Sequence, residues 1–288
     1  MEWVETVLNG IFLGGLYGVL GLGLALVFGV MRVINVAHGE FIVLAAYLGF
    51  FLVSQFPDVH PLLLLVPVMI VCFVVGYGFQ ALLLNRVVET PDPLAPMLVT
   101  FGISIVLRNV MVETFGADPR SIQIEGLSQA SLQLFGISIG ILPLMTLIVA
   151  VGLFVALQLV LTRTSFGRIV RATADNPEVV RMMGARPVRA YNTVMGLALL
   201  LAGVAGLLLA MRTSFTAYSG IDRILISFEV VVLGGLGSFW GALIAGILLG
   251  IAQIVGLLFD GNGGLLYAHL LFFVFLLVRP SGLFGARA

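Results

Sequence analysis

The chain has 288 residues, 60% of them hydrophobic and 10% charged, with a mean hydropathy of +1.18 and zero formal net charge. A soluble domain is nearer half apolar and about a quarter charged, so a water-soluble globule is excluded and the lipid bilayer is the natural solvent. Zero net charge leaves no basic footprint for nucleic acid, and all fourteen basic residues are arginine, which excludes the lysine-dependent P-loop and Schiff-base chemistries.

A helix needs roughly 20 apolar residues to cross the hydrocarbon core. Nine segments approach that pattern, at 7–30, 38–54, 61–84, 94–115, 137–161, 191–211, 222–237, 238–258 and 264–279. The sequence therefore predicts an all-α polytopic membrane protein of about nine transmembrane or partly re-entrant helices, in one transmembrane domain over 1–288. The first segment carries Gly10, Gly14 and Gly18 at four-residue spacing, and the eighth carries Gly246 and Gly250. Such rows let helix backbones approach closely, either within the chain or across a dimer seam. The N-terminal "MEWVE" lacks the basic start of a cleaved signal peptide, so the first segment is expected to be retained.

Between the first two segments lies "INVAHGEF", residues 34–41. Asn35 suits the cap of a helix starting at Val36. His38 and Glu40 then fall in its first turn, where a carboxylate meets the positive helix end, and Gly39 permits close backbone approach. The same four residues, Asn35, His38, Gly39 and Glu40, are candidates for a gate or pathway, because ionisable groups at membrane depth face a bundle interior or water. Arg108, inside the fourth segment, has no evident reason to be there.

The stretch 162–190 holds Arg163, Arg168, Arg171, Arg181, Arg186 and Arg189, the densest arginine cluster in the chain. By the positive-inside rule this loop is cytoplasmic. Alternating outward puts Arg32, Arg86, Arg279 and Arg287 inside and Arg120, Arg212 and Arg223 outside, ten against three. The N-terminus is then outside and the C-terminus cytoplasmic. Within the loop, Asn176 reads as an N-cap, Pro177 as the first helical residue and Glu178 as a first-turn acid. Gly184 reads as the left-handed C-terminal cap. Between these marks, Val179, Met182 and Met183 share one apolar face, which Val180 extends, with Arg181 beside it. That face either folds back onto the membrane helices or enters a groove on a partner.

Glu229 sits several residues into the seventh segment. A carboxylate there must be neutral, paired or facing water. Arg108 and Arg223 are its possible partners, and a structural ion pair and a pathway contact both fit. The seventh and eighth segments are separated only by "GGLGS", residues 234–238. The second, seventh and ninth segments are short, as broken or re-entrant helices are. "HGEFIVLAAYLG" and "FWGALIAGILLG" share a faint small-residue rhythm.

Three stretches together resemble a known family. "GRIVRATADNPEVVRMMGARPVRA" is similar to the cytoplasmic loop of permease subunits in bacterial branched-chain amino acid ABC importers. "VINVAHGEF" with "LAAY" resembles the N-terminal signature of the LivH-type subunit, and "SFEVVVLGGLGSFWGALIAGILLG" resembles its C-terminal signature. The likeness runs from about Leu8 to Phe284, with one departure at Ala45, where the family pattern has glycine. The resemblance implies a multi-pass permease in the bacterial inner membrane that carries leucine, isoleucine and valine inward. It implies a second, LivM-type permease, two cytoplasmic ATPase subunits that bind the ATP and Mg, and an external substrate-binding protein. It also makes residues 176–184 the helix that couples the permease to its ATPase.

Two alternatives remain at this level. One is the permease of a related urea or amide importer, which uses similar motifs. The other is an ion-coupled transporter with His38, Glu40 and Glu229 as proton carriers. An enzyme would need a nucleophile with its base, or a metal. Cys72 is the only cysteine, and His38, His60 and His269 are far apart in sequence, so neither is expected.

Overall fold

The computed structural model describes residues 2–284 apart from 89, 91, 93, 125, 127–129 and 135; Arg287 lies outside the described residues. Eleven α-helices are present among them. They are α1 (Glu2–Met31), α2 (His38–Gln55), α3 (Leu65–Leu82, after a 3-10 turn at Pro61–Leu64), α4 (Leu94–Phe115) and α5 (Ile141–Arg163). Then come the short α6 (Ser165–Asp175) and α7 (Pro177–Met182), followed by α8 (Pro187–Arg212), α9 (Gly220–Gly234), α10 (Phe239–Phe259) and α11 (Gly264–Val278). Seven of these, α1, α2, α3, α4, α5, α8 and α10, are long and apolar enough to cross a membrane. At 15 residues each, α9 and α11 are shorter.

Each of the nine predicted segments contains one of these helices, with two corrections. Residues 137–140 are not the start of the fifth helix but strand β2 (Ile137–Gly140), paired antiparallel with β1 (Ser131–Leu134). The period-two pattern of "SLQL" and "ISIG" favours a strand, and Gly136, with φ of 79°, serves the turn between them. The second correction is α6, an additional helix in the arginine-rich loop, whose start Thr164 caps by accepting from Gly167 N at 3.0 Å.

Helices α1 and α8 form the centre. Their most apolar stretches are 83% and 89% buried, against 22% for α3 and α4, so the latter face lipid or other chains. The most extensive helix contact is between α1 and α10, and it is the two glycine rows that make it. A Cβ on Gly10 or Gly14 would run into the Cα of Ile251 or Ile247, and one on Gly246 or Gly250 into the backbone of Gly18 or Gly14. The rows therefore serve packing within the chain.

Two segments depart from the simple up-and-down path. At its C-terminal end α1 stops at Arg32, whose φ of 54° turns the chain back. Residues 32–37 re-enter the helical layer, so that His38 Nε2 meets Leu20 O at 3.1 Å. Leu20 lies eleven residues before Met31, roughly 16 Å along the helix at ~1.5 Å per residue. α2 thus begins inside the membrane. The same happens after α8. Residues 213–219 turn inward, held where Phe215 and Arg120 exchange backbone hydrogen bonds of 2.9 Å, and α9 begins at Gly220 against Gly39.

The two turns are built alike. Asn35 Oδ1 accepts from Ala37 N at 3.1 Å and Asn35 O from His38 N at 3.2 Å. Thr216 Oγ1 accepts from Tyr218 N at 3.3 Å and Thr216 O from Ser219 N at 3.1 Å. The structural counterpart of α2 is therefore α9, rather than the α10 stretch whose small-residue rhythm it shares. Both helices start opposite the middle of α1 and run in opposite directions.

Gly14→Leu should overpack the α1–α10 seam, a cost of about 1–3 kcal/mol or more, and lower the apparent unfolding temperature in detergent. Gly102→Ala is the control, since nothing lies within 4 Å of a Cβ there. Equal unfolding temperatures for the two variants would contradict the seam.

Candidate functional site

The arginine-rich loop is ordered by its own caps. Asn176 is extended (φ −155°, ψ 103°), and its Oδ1 accepts from Glu178 N at 3.0 Å and Val179 N at 3.2 Å. Pro177 opens α7 and Glu178 sits in its first turn. The helix is one residue shorter than predicted, with Met183 as its C-cap. Gly184, at φ 81°, takes the left-handed conformation that favours glycine. Gly184 N then donates to Arg181 O at 3.0 Å and Ala185 N to Val180 O at 3.1 Å, satisfying carbonyls that the helix end leaves open.

The apolar residues of α7 divide. Val180 is buried against the rest of the protein, whereas Val179 is 43% exposed and Met182 and Met183 are each 80% exposed. Of its described apolar side chains Val180 is turned inward, and Val179, Met182 and Met183 are presented outward. Beside it, Arg181, Arg186 and Arg189 line a groove of about 540 Å³ that continues into the start of α8.

A second cluster forms where α2 and α9 meet. Asn35, His38 and Glu40 are buried. Asn35 does not cap α2 directly; Ala37 holds that position, and Asn35 makes the turn just before it. Gly39 lies so close to α9 that a Cβ would collide with Gly220 O and Ile224. The Glu40 carboxylate packs against Gly220. Its Oε1 accepts from Arg108 Nη2 at 2.5 Å and Nε at 3.1 Å.

Arg108, which the sequence offered only as a possible partner of Glu229, pairs instead with Glu40. Pro96, Thr100, Ser104 and Arg108 form an i+4 row on α4, and a row of that kind shares one helix face. Thr100 Oγ1 accepts from Val36 N at 3.1 Å in the re-entrant segment. Arg108 reaches Glu40 one element further on. The row of small polar residues ending in an arginine was the available signal.

Glu229 is not part of this cluster. It lies nine residues into α9, roughly 13 Å from its start at ~1.5 Å per residue. There it pairs with His269 Nδ1 on α11 at 2.6 Å, not with Arg108 or Arg223. Arg223, expected outside the membrane, sits in the first turn of α9. Asn35, His38, Gly39 and Glu40 are thus brought together, while Glu229 fastens α11 to α9.

The chain matches the family model described as "Branched-chain amino acid transport system / permease component" over residues 6–279. It is 28% identical to the high-affinity branched-chain amino acid transport system permease protein BraD of Pseudomonas aeruginosa, over 99% of this chain and 96% of that protein. It is 30% identical to a probable branched-chain amino acid transport permease protein LivH of Methanocaldococcus jannaschii, over 98% and 92% of the two chains. It is also 27% identical to the permease protein LivM of a Salmonella typhimurium branched-chain amino acid transport system, over 93% of this chain and 67% of that one.

Removing one partner of the interior ion pair should cost more than removing both. Arg108→Ala strands the Glu40 carboxylate, a loss of about 3–5 kcal/mol for a buried pair, read as a lower apparent unfolding temperature in detergent. The double variant Glu40→Gln/Arg108→Gln should recover part of it. An Arg108→Ala protein as stable as the parent would contradict the pairing.

Proposed function

The chain belongs to the branched-chain amino acid transport permease family, and from that premise we propose that it is the LivH-type membrane subunit of an ABC importer for leucine, isoleucine and valine. The observation that carries this reading is the match to permeases along essentially the whole chain. The likeness to LivM as well as to LivH-type proteins supports a pair of related but distinct permeases around one pathway. Two cytoplasmic ATPases would bind ATP and Mg, and an external binding protein would deliver the substrate. The cell inner membrane is the location this assembly requires.

On this reading 1–288 is a single transmembrane unit and 162–190 is its cytoplasmic coupling loop. The N-terminus is outside and the C-terminus inside. The ends of α1 and α9, which meet where Gly29 faces Gly237, lie on the cytoplasmic side. Residues 176–184 form the docking element. Val179, Met182 and Met183 enter the ATPase, Val180 holds α7 to the permease, and Asn176, Pro177, Glu178 and Gly184 set its ends. Methionine suits a contact that must adapt as the ATPase moves. Arg181, Arg186 and Arg189 would meet acidic groups around the contact.

Movement of α7 passes to α8, which begins three residues after Gly184. α8 packs on α1, α2 and α3, and so reaches the joint formed by Asn35, His38, Gly39 and Glu40. That joint would be the fulcrum about which α2 and α9 tilt as the pathway alternates. Glu229, through His269, would carry α11 along with α9.

Purification of the tagged protein from its native membrane in mild detergent should bring down a second permease and two ATPase chains. Met182→Asp should lose the ATPases by roughly tenfold or more, the effect of placing a charge in an apolar contact, while keeping the second permease. Parent-level ATPase recovery with Met182→Asp would overturn the docking assignment. An absence of ATPases from the parent preparation in several mild detergents would overturn the importer reading.

A further inference from the structure

Helix α5 leaves the membrane through a run of uncommitted arginines. From Ile141 to Ala174 the chain carries Arg163, Arg168 and Arg171 and no acidic residue; Asp175 is the first. The 23 residues of α5 measure roughly 34 Å at ~1.5 Å per residue, a little more than the hydrocarbon core of about 30 Å. Arg163, its last residue, therefore stands at headgroup depth.

Helix α6 stays at that depth. A Cβ on Gly167 would collide with the backbone of Leu161 in the last turn of α5, and Val170 is buried in the same apolar cluster as Leu157 and Leu161. α6 thus lies beside the end of the span and does not project from it. Gly167, Val170 and Thr173 form its buried side, packed toward α5, α8 and α1. Arg168 and Arg171, three residues apart, are neighbours on the outward side, where Ile169 is 41% exposed. All three arginines are exposed. None makes an ion pair or a side-chain hydrogen bond with a described residue, and Asp175, one turn beyond Arg171, is not paired with it. A helix with an apolar inner side and a basic outer side, set at the edge of a span, is built for the membrane interface.

We propose that the outward side of α6, together with Arg163, binds the phosphates of anionic phospholipid headgroups and so moors the arginine-rich loop to the membrane surface. This goes beyond the importer reading and needs only that α5 spans the bilayer. Charge complementarity selects the ligand: three cations without a counter-charge stand at the depth where lipid phosphates lie. The guanidinium fork takes phosphate oxygens through paired hydrogen bonds. The set is distinct from Arg181, Arg186 and Arg189, which line the groove beside α7. A moored α6 fixes the base from which α7, next in the chain, is presented.

The test uses the chain purified with the partners it retains, placed in phosphatidylcholine vesicles with a trace of spin-labelled phosphatidylglycerol or spin-labelled phosphatidylcholine. Electron spin resonance reads the immobilised fraction of each lipid, with no transport required. Phosphatidylglycerol should be immobilised in excess, and about 0.5 M salt should shrink the excess, because exposed charges are screened. Arg168→Gln/Arg171→Gln should weaken its association roughly tenfold or more, at about fivefold per arginine near an anionic surface. Arg168→Lys/Arg171→Lys should keep most of the excess. Arg86→Gln/Arg279→Gln, which removes two arginines elsewhere in the chain, should change little. Equal immobilisation of the two lipids by the parent would overturn the proposal. So would equal losses in the two glutamine pairs, which would mean a diffuse surface charge. An excess seen only after bound ATPases are stripped away would make these arginines an ATPase contact instead. If the α6 glutamine pair fails to insert, the parent decides. Phosphatidylglycerol with a photoreactive group beside its phosphate should label residues within 163–174, and labelling absent from that stretch would overturn the site.

Discussion

The hydrocarbon core offers no water to backbone amides, so a chain that leaves the helical path inside it must supply every partner itself. This protein leaves that path twice, at 32–37 and 213–219, and its architecture follows from how the resulting polar groups are satisfied. In the first segment Val36 N donates to Thr100 and Ala37 N to Asn35. In the second, Thr216 N donates to Ser219 Oγ at 3.0 Å, Tyr218 N donates to Thr216, and Phe215 pairs with Arg120. A side chain of α4 and the backbone of the segment after it are therefore part of the re-entrant turns. Helices α2 and α9 owe their starting points to those bonds.

Once two helix N-termini meet inside the membrane, their positive ends need an anion. Glu40 provides it, packed on Gly220 and tied to Arg108. Glycine at 39 and 220 lets the backbones approach closely enough for this. On the other side, the glycine rows of α1 and α10 fix the frame against which α9 lies. The joint is buried where α2 meets α9, and one apolar side of α9 is left uncovered. In the arginine-rich loop α6 packs on α5, α8 and α1, with Val170 in the core, and α7 adjoins α6 and α8.

Much of this was legible in the sequence because the signals are local. All nine apolar segments contain helices, and Asn176, Pro177 and Gly184 mark α7 because capping depends on residues a few positions apart. What was not legible depends on distant pairs. Nothing near Glu40 points to Arg108, 68 residues away, and nothing near Glu229 points to His269 rather than Arg223. Strand β2 at 137–140 was absorbed into the fifth apolar run, because a short alternating stretch next to a long helix differs little in hydropathy. The re-entrant course of 213–219 was missed because the flanking Arg212 and Arg223 read as the ends of an ordinary external loop, and only the contact of Gly220 with Gly39 places it inside.

Hydrogen–deuterium exchange of the protein in lipid nanodiscs tests the central claim, that two non-helical segments lie bonded within the membrane. Peptides covering 36–41 and 215–219 should exchange slowly, because most of their amides are hydrogen-bonded. The exposed connection at 56–60 should exchange fast. Rapid exchange across both re-entrant segments, matching 56–60, would mean that they lie at the surface, and the joint between α2 and α9 would not exist as described.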